Sequence, residues 1–205
     1  PNPVAGGRPE LRERLAIVPS RQIVGLVGRL EPGKGHDRFL DVVAELRRRG
    51  LAVHGLLVGG LTPGSPTELA ARLTQGIAAR RLENAVTWTG QVADAGPYIE
   101  MMDVLVSVAS VESFGIALVE AMARRVPVVA VAAGGPEEII ESGKSGLIVP
   151  TTDPRRIADA VETVLLHPTL RRRLADGGRE RVRSQFTRER MTRDIERTVE
   201  ELCAS

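Results

Sequence analysis

The chain has 205 residues, 42% of them apolar, and its 28 Lys and Arg nearly balance 26 Asp and Glu for a formal net charge of +2. That composition fits one medium-sized globular domain and excludes a disordered chain. No apolar run approaches the roughly 18 residues of a membrane span, and Phe39, Trp88, Tyr98, Phe114 and Phe186 are too few for the stacked rings on which single-stranded nucleic acids are bound.

In chain order, Pro1-Asn2-Pro3 opens an expected linker or hinge over residues 1–19, and a first residue other than Met fits a piece of a longer protein. Short β-branched runs then alternate with helical stretches. A buried strand is expected at 22–28, then a helix at 36–49 with Phe39, Val42, Val43 and Leu46 on one face. Gly50 ends that helix. A strand at 52–58 closes at Gly59-Gly60, and a helix runs from the Pro63–Pro66 loop to about residue 80. Strands at 86–89, 104–108, 127–131 and 146–149 are separated by helices at 98–102, 115–124 and 136–141. From Asp153 onward the pattern is helical: 154–166, 169–185 and 188–202. Strands joined to helices by short connections imply an α/β fold, a Rossmann-like, doubly wound parallel sheet of about six strands with helices on both faces and a helical C-terminal extension.

Three regions follow: the linker over 1–19, a Rossmann-like domain over 20–185, and a C-terminal helix over 186–205 carrying Met191, Ile195, Val199 and Leu202 at helical spacing. Cys203 stands alone, so no intrachain disulfide forms, which suits a reducing cytoplasm. The basic clusters 47–49 and 171–173 lie beside acids and read as solvated helix faces. His36, His54 and His167 read as structural, Trp88 as core, and Met101, Met102 and Met122 as core filler.

Doubly wound sheets bind ligands beyond the carboxyl ends of their strands, which singles out the loops 28–35, 59–64, 109–115 and 133–137. The first is Gly28-Arg29-Leu30-Glu31-Pro32-Gly33-Lys34-Gly35, two cations among glycines, suited to a diphosphate. It nearly spells a P-loop, but Gly35 stands where Ser or Thr would hold magnesium, and no Gly-x-Gly-x-x-Gly follows a strand. The third loop places Ser113, Phe114, Gly115 and Ile116 at the start of a helix, whose free N–H groups and dipole favour an anion. Glu112 precedes that helix, and Glu120 lies about two turns on, so both can face one crevice. Two carboxylates beside an anion site make sense if they accept hydrogen bonds from vicinal hydroxyls, one set on ribose and one on a sugar.

Glu112-x7-Glu120, within Glu-Ser-Phe-Gly-Ile-Ala-Leu-Val-Glu-Ala-Met, resembles the signature of family 4 of the retaining glycosyltransferases, the glycosyl transferases group 1. The upstream Gly-Arg-Leu…Lys-Gly loop is similar to that family's. So are Gly134-Gly135-Pro136-Glu137-Glu138-Ile139 and Gly143…Gly146-Leu-Ile-Val-Pro150. The resemblance covers about residues 20–185 and implies the C-terminal, donor-binding half of a GT-B fold, whose acceptor-binding N-terminal half would be the partner. It implies transfer of a hexose from a nucleoside-diphosphate sugar (UDP or GDP class, base open) with retention and without a metal or other cofactor. Arg29 and Lys34 would neutralise the diphosphate, Glu112 would contact the transferred sugar, and Glu120 would grip the ribose. Gly28, Ser113 and the amides of Phe114, Gly115 and Ile116 complete the implied donor set, with Glu112, Arg29 and Lys34 as its catalytic members. The family's His or Asp near the sugar belongs to the other half, so this piece alone is expected to be inactive. The enzyme is expected in the cytoplasm, held at a membrane only through that other half, and without nucleic acid.

Two departures stand out. Gly59-Gly60-Leu61 replaces the family's common Gly-Asp-Gly or Gly-x-Gly, and Ala109-Ser110 replaces Pro-Ser. A non-catalytic nucleotide-sugar-binding module and a GT-B sugar-nucleotide epimerase remain as alternatives to the transferase.

Overall fold

The structure, a computed structural model, describes residues 8–62, 64, 66–187, 190, 192 and 193. In chain order these form α1 (Arg8–Arg14), β1 (Gln22–Val27), α2 (His36–Arg48), β2 (Val53–Val58), α3 (Glu68–Ala79), β3 (Val86–Trp88) and α4 (Gly96–Glu100). Then follow β4 (Val104–Ser107), α5 (Ile116–Ala123), β5 (Val128–Val131), α6 (Gly135–Ile139), β6 (Leu147–Val149), α7 (Pro154–Leu166) and α8 (Pro168–Gln185). The strands make one sheet in the order β3-β2-β1-β4-β5-β6, every pair parallel. Strand order reverses between β1 and β4, which opens a crevice beyond their carboxyl ends.

Because both faces are covered, the strands are mostly apolar and alternate their side chains between two cores. In β4, Val104 and Val106 join the layer under α2, α3 and α7, with Phe39, Leu40, Leu46, Ile157 and Val161. Leu105 points the other way, to Tyr98, Met101, Met102, Leu118, Met122 and Ile139. The three methionines are therefore core, as expected. Across the first layer Arg49 ties α2 to α7, bonding Glu45 (2.8 Å), Asp159 (2.8 Å) and Glu162 (2.6 Å). Asp153 caps α7 by accepting from the Arg155 amide at 2.9 Å.

Element boundaries shift by a residue or two from the expected ones. The larger difference is at the start, where residues 8–19, expected as linker, carry α1. Leu11 and Ile17 are buried in the second core, and the Arg12 guanidinium donates to the carbonyls of Val18 (3.0 Å), Pro19 (3.2 Å) and Arg21 (2.6 Å), folding the chain into β1. The expected C-terminal stripe of Met191, Ile195, Val199 and Leu202 lies outside the described residues. Among the described residues, no helix is long and apolar enough to cross a membrane.

Candidate functional site

The loop after β1 is held from two sides. Gly28 donates its amide to Val58 (2.9 Å), the last residue of β2, and Leu30 to Gly60 (2.8 Å) just beyond it. Gly35, at φ +78°, caps α2 so close to the end of β4 that a Cβ there would run into the Val108 carbonyl oxygen. Arg38, in the first turn of α2, donates to that same carbonyl and to Ser110 Oγ (3.2 Å), while the Ser110 amide donates to Gly33 (3.2 Å). The first and third loops are thereby stitched together along their base. Lys34 meets Glu112 across the seam, Nζ to Oε2 2.7 Å, with the two side chains 28% and 17% exposed. Arg29 points into more open space and pairs with Glu31 at 3.0 Å; Thr62 donates to the same carboxylate at 3.2 Å.

The third loop is fixed on its other flank by the turn after β5. Glu112 donates its amide to Ala133 (2.9 Å) and accepts from the Gly135 amide (2.8 Å). A Cβ on Gly135 would overlap the Phe114 backbone, so only glycine lets the turn come this near. Gly115, at φ +103°, then caps α5. Its carbonyl accepts from Leu118 and Val119, whereas the amides of Gly115, Ile116 and Ala117 take no partner among the described residues. That leaves a helix amino end with free donors.

These pieces enclose a hollow of about 490 Å³. Gly28, Arg29, Lys34, Glu112, Ser113, Phe114, Gly115, Ile116 and Glu120, every site residue singled out from the sequence, line it. Glu120 comes from one turn inside α5, its carboxylate without a partner among the described residues. The floor is the end of β4, Leu105 to Ala109, and Ala95 from the α4 turn closes one wall. One hollow thus holds two cations, free amides at a positive helix end, and two carboxylates.

Of the four loops the topology rule singles out, only the first and third line the hollow. Those at 59–64 and 133–137 brace them from behind. Trp88 likewise stays outside, half-buried, donating Nε1 to the Gly59 carbonyl at 2.7 Å. His36 is buried behind the first loop; burial pushes its pKa down, Lys34 adds to this, and Asp37 opposes it. Sequence reasoning missed Arg38, Glu31 and Ala95. The Gly134-Gly135 pair after a strand was visible, but nothing in the chain order shows that it packs on Phe114.

The chain belongs to the glycosyl transferases group 1, whose sequence profile matches residues 7–181. It is 36% identical over 171 residues to alpha-D-kanosaminyltransferase of Streptomyces kanamyceticus, which spans 82% of this chain and 42% of that protein. Among solved structures, HepE of Anabaena in complex with UDP and glucose matches with a TM-score of 0.86 and 27% identity, over 95% of this chain and 52% of HepE. The C-terminal domain of a glycosyl transferase group 1 family protein, LpcC of Francisella tularensis, shares the fold at a TM-score of 0.76 and 24% identity, over 90% of this chain and 95% of that domain. The chain thus spans about half the length of its longer relatives and corresponds to the C-terminal, Rossmann-like half of a GT-B glycosyltransferase.

Proposed function

We propose that the chain is the donor-binding half of a hexosyltransferase that moves a sugar from a nucleoside diphosphate to an acceptor, with retention and without a metal. The observation that carries this reading is the shared hollow, lined by Arg29, Lys34 and the amino end of α5 together with Glu112 and Glu120. The diphosphate sits against the cations and the free amides of Gly115 and Ile116. Glu120 accepts from ribose hydroxyls, and Glu112 from hydroxyls of the transferred sugar. HepE, solved with UDP and glucose, supports a nucleoside diphosphate as the ligand.

Breaking the bond from sugar to diphosphate builds negative charge on the leaving phosphate. Fixed cations and amide dipoles stabilise that charge more than they stabilise the bound donor, and only such a difference speeds the reaction. In the structure Lys34 rests on Glu112. Donor binding exchanges that carboxylate for phosphate and frees Glu112 for the sugar. Retention rests on the family signature alone, and the anomeric configuration of the product, read by NMR, tests it.

The reading is tested by titrating UDP, GDP and ADP into the chain and into Lys34→Ala and Glu120→Ala. At least one diphosphate binds; losing the charged contact from Lys34 removes on the order of 1.5–3 kcal/mol, about one to two decades of affinity. No binding of any of the three, or variants that bind as well as the parent, contradicts it.

A further inference from the structure

The third loop is gripped by a residue that lines no part of the hollow, Phe186. Phe114 belongs to the loop and is partly exposed at its rim. Phe186, at the C-terminal end of α8, lays its ring against Phe114 with centroids 6.0 Å apart at 70°, the edge-to-face arrangement aromatic pairs favour. Phe186 is itself held. Its amide donates to Val182 (2.9 Å), and the Arg181 guanidinium sits over its ring, 5.9 Å from the centroid. Arg181 also donates to the carbonyls of Glu138 (2.7 Å) and Ile139 (2.5 Å) at the end of α6, the helix whose first residue, Gly135, packs under Phe114. The Phe114 segment is therefore held between α6 below and the end of α8 beside it, and both supports are linked through Arg181.

We infer that Phe186 is a positioning residue for the donor site: it fixes the segment from Glu112 to Ile116 through Phe114, so that the end of α8 sets how well the loop amides meet a diphosphate. The inference about affinity rests on the donor-binding reading above; the inference about loop order does not. Phe186 touches no donor atom in this scheme. Its effect falls on the phosphates, which meet the loop, and spares the nucleoside, which does not depend on it.

Two measurements on Phe186→Ala, Phe186→Leu and Phe186→Tyr decide it, with Leu serving if Ala does not fold. The first is amide hydrogen exchange. Loss of the ring contact lowers protection at Glu112, Gly135, Leu118 and Val119, whose bonds hold the loop, while amides of β1 and β2 keep theirs, and Tyr restores the parent pattern. Unchanged loop protection, or equal loss throughout the sheet, overturns the inference. The second compares the diphosphate the parent binds best with its nucleoside. Removing the aromatic contact weakens the diphosphate by about threefold to tenfold and leaves the nucleoside unchanged; equal weakening of both, or of neither, overturns it. A parent that binds none of the diphosphates sinks the donor-binding reading, and the exchange experiment still decides the role of Phe186.

Discussion

At Lys34 the balance is between two anions competing for one ammonium. The 2.7 Å pair with Glu112 is mostly sheltered from water, so it outweighs an exposed surface pair, whose contribution is about 0–1 kcal/mol. On the donor-binding reading, a diphosphate displaces Glu112 because it brings more charge and gains Arg29 and the α5 amides as well. Glu112→Gln removes the competitor, so UDP should bind this variant at least as tightly as the parent by calorimetry. A tenfold loss would show that Glu112 contributes to phosphate binding rather than competing with it. His54 makes a separate prediction about stability. It is buried, bonded through Nε2 to Thr87 at 2.9 Å, and its Nδ1 has no partner among the described residues. Burial, aided by Arg21, Arg12 and Arg47, holds its pKa down to about 4 from 6.5. The folded pKa is depressed for a group that is neutral when deprotonated, so the unfolded chain takes up the proton first. Stability is full above pH 6.5 and falls as pH drops toward 4, by on the order of 3 kcal/mol. Urea denaturation at pH 7, 5.5 and 4.5 should show that slope in the parent and lose most of it in His54→Gln.

At the scale of elements, the site is made by loops that brace one another, and glycine is required where they touch. Gly35 and Gly50 both adopt positive φ, +78° and +89°, a conformation that costs a side chain roughly 1–2 kcal/mol. At Gly50 nothing lies near an added Cβ, whereas at Gly35 the Val108 carbonyl blocks it. Gly35→Ala should therefore lower the urea midpoint clearly more than Gly50→Ala; equal losses would mean the seam between the loops is slack. The α2–α7 tie titrates in a lower window than His54. Side-chain bonds from Arg48 and Arg49 hold the Glu45 carboxyl down to about 2, so its contribution is present above about pH 4.5 and fades only below it. Much of this level was legible in the sequence. The β-branched runs and their spacing specify the parallel sheet, and Glu112-x7-Glu120 astride a helix start puts both acids on one crevice. The rest depends on contacts far apart in the chain. Arg38 reaches Val108, and Phe186 reaches Phe114, 72 residues away; no local pattern encodes either. α1 escaped because its sequence is dominated by charge, and only Leu11 and Ile17 reveal, once packed, that it belongs to the core.

At the scale of the whole molecule, the chain spans about half of the relatives it matches, and on the donor-binding reading it is one part of a two-part enzyme. Ile116 (68%) and Phe114 (41%), which line the hollow, and Val111 (77%), next to Glu112 in the chain, expose apolar surface, more than a lone hydrophobe would, which fits a facing domain that brings the acceptor and shuts out water. The chain by itself is expected to bind donor and transfer sugar slowly or not at all, read as release of nucleoside diphosphate from candidate sugar nucleotides with acceptor present. Rates matching an enzyme of full length would show that the hollow needs no second half. On the proposed metal-free reading, a chelator should leave transfer by an enzyme of full length intact.

The most direct test of the convergence of charge in this hollow is a crystal structure of the chain with the nucleoside diphosphate it binds best. Phosphate oxygens are expected within hydrogen-bond distance of Lys34 Nζ, the Arg29 guanidinium and the amides of Gly115 and Ile116, with ribose hydroxyls on Glu120 and Lys34 released from Glu112. A diphosphate bound elsewhere, or one bound here with the Lys34–Glu112 pair intact and Glu120 facing solvent, would contradict the account.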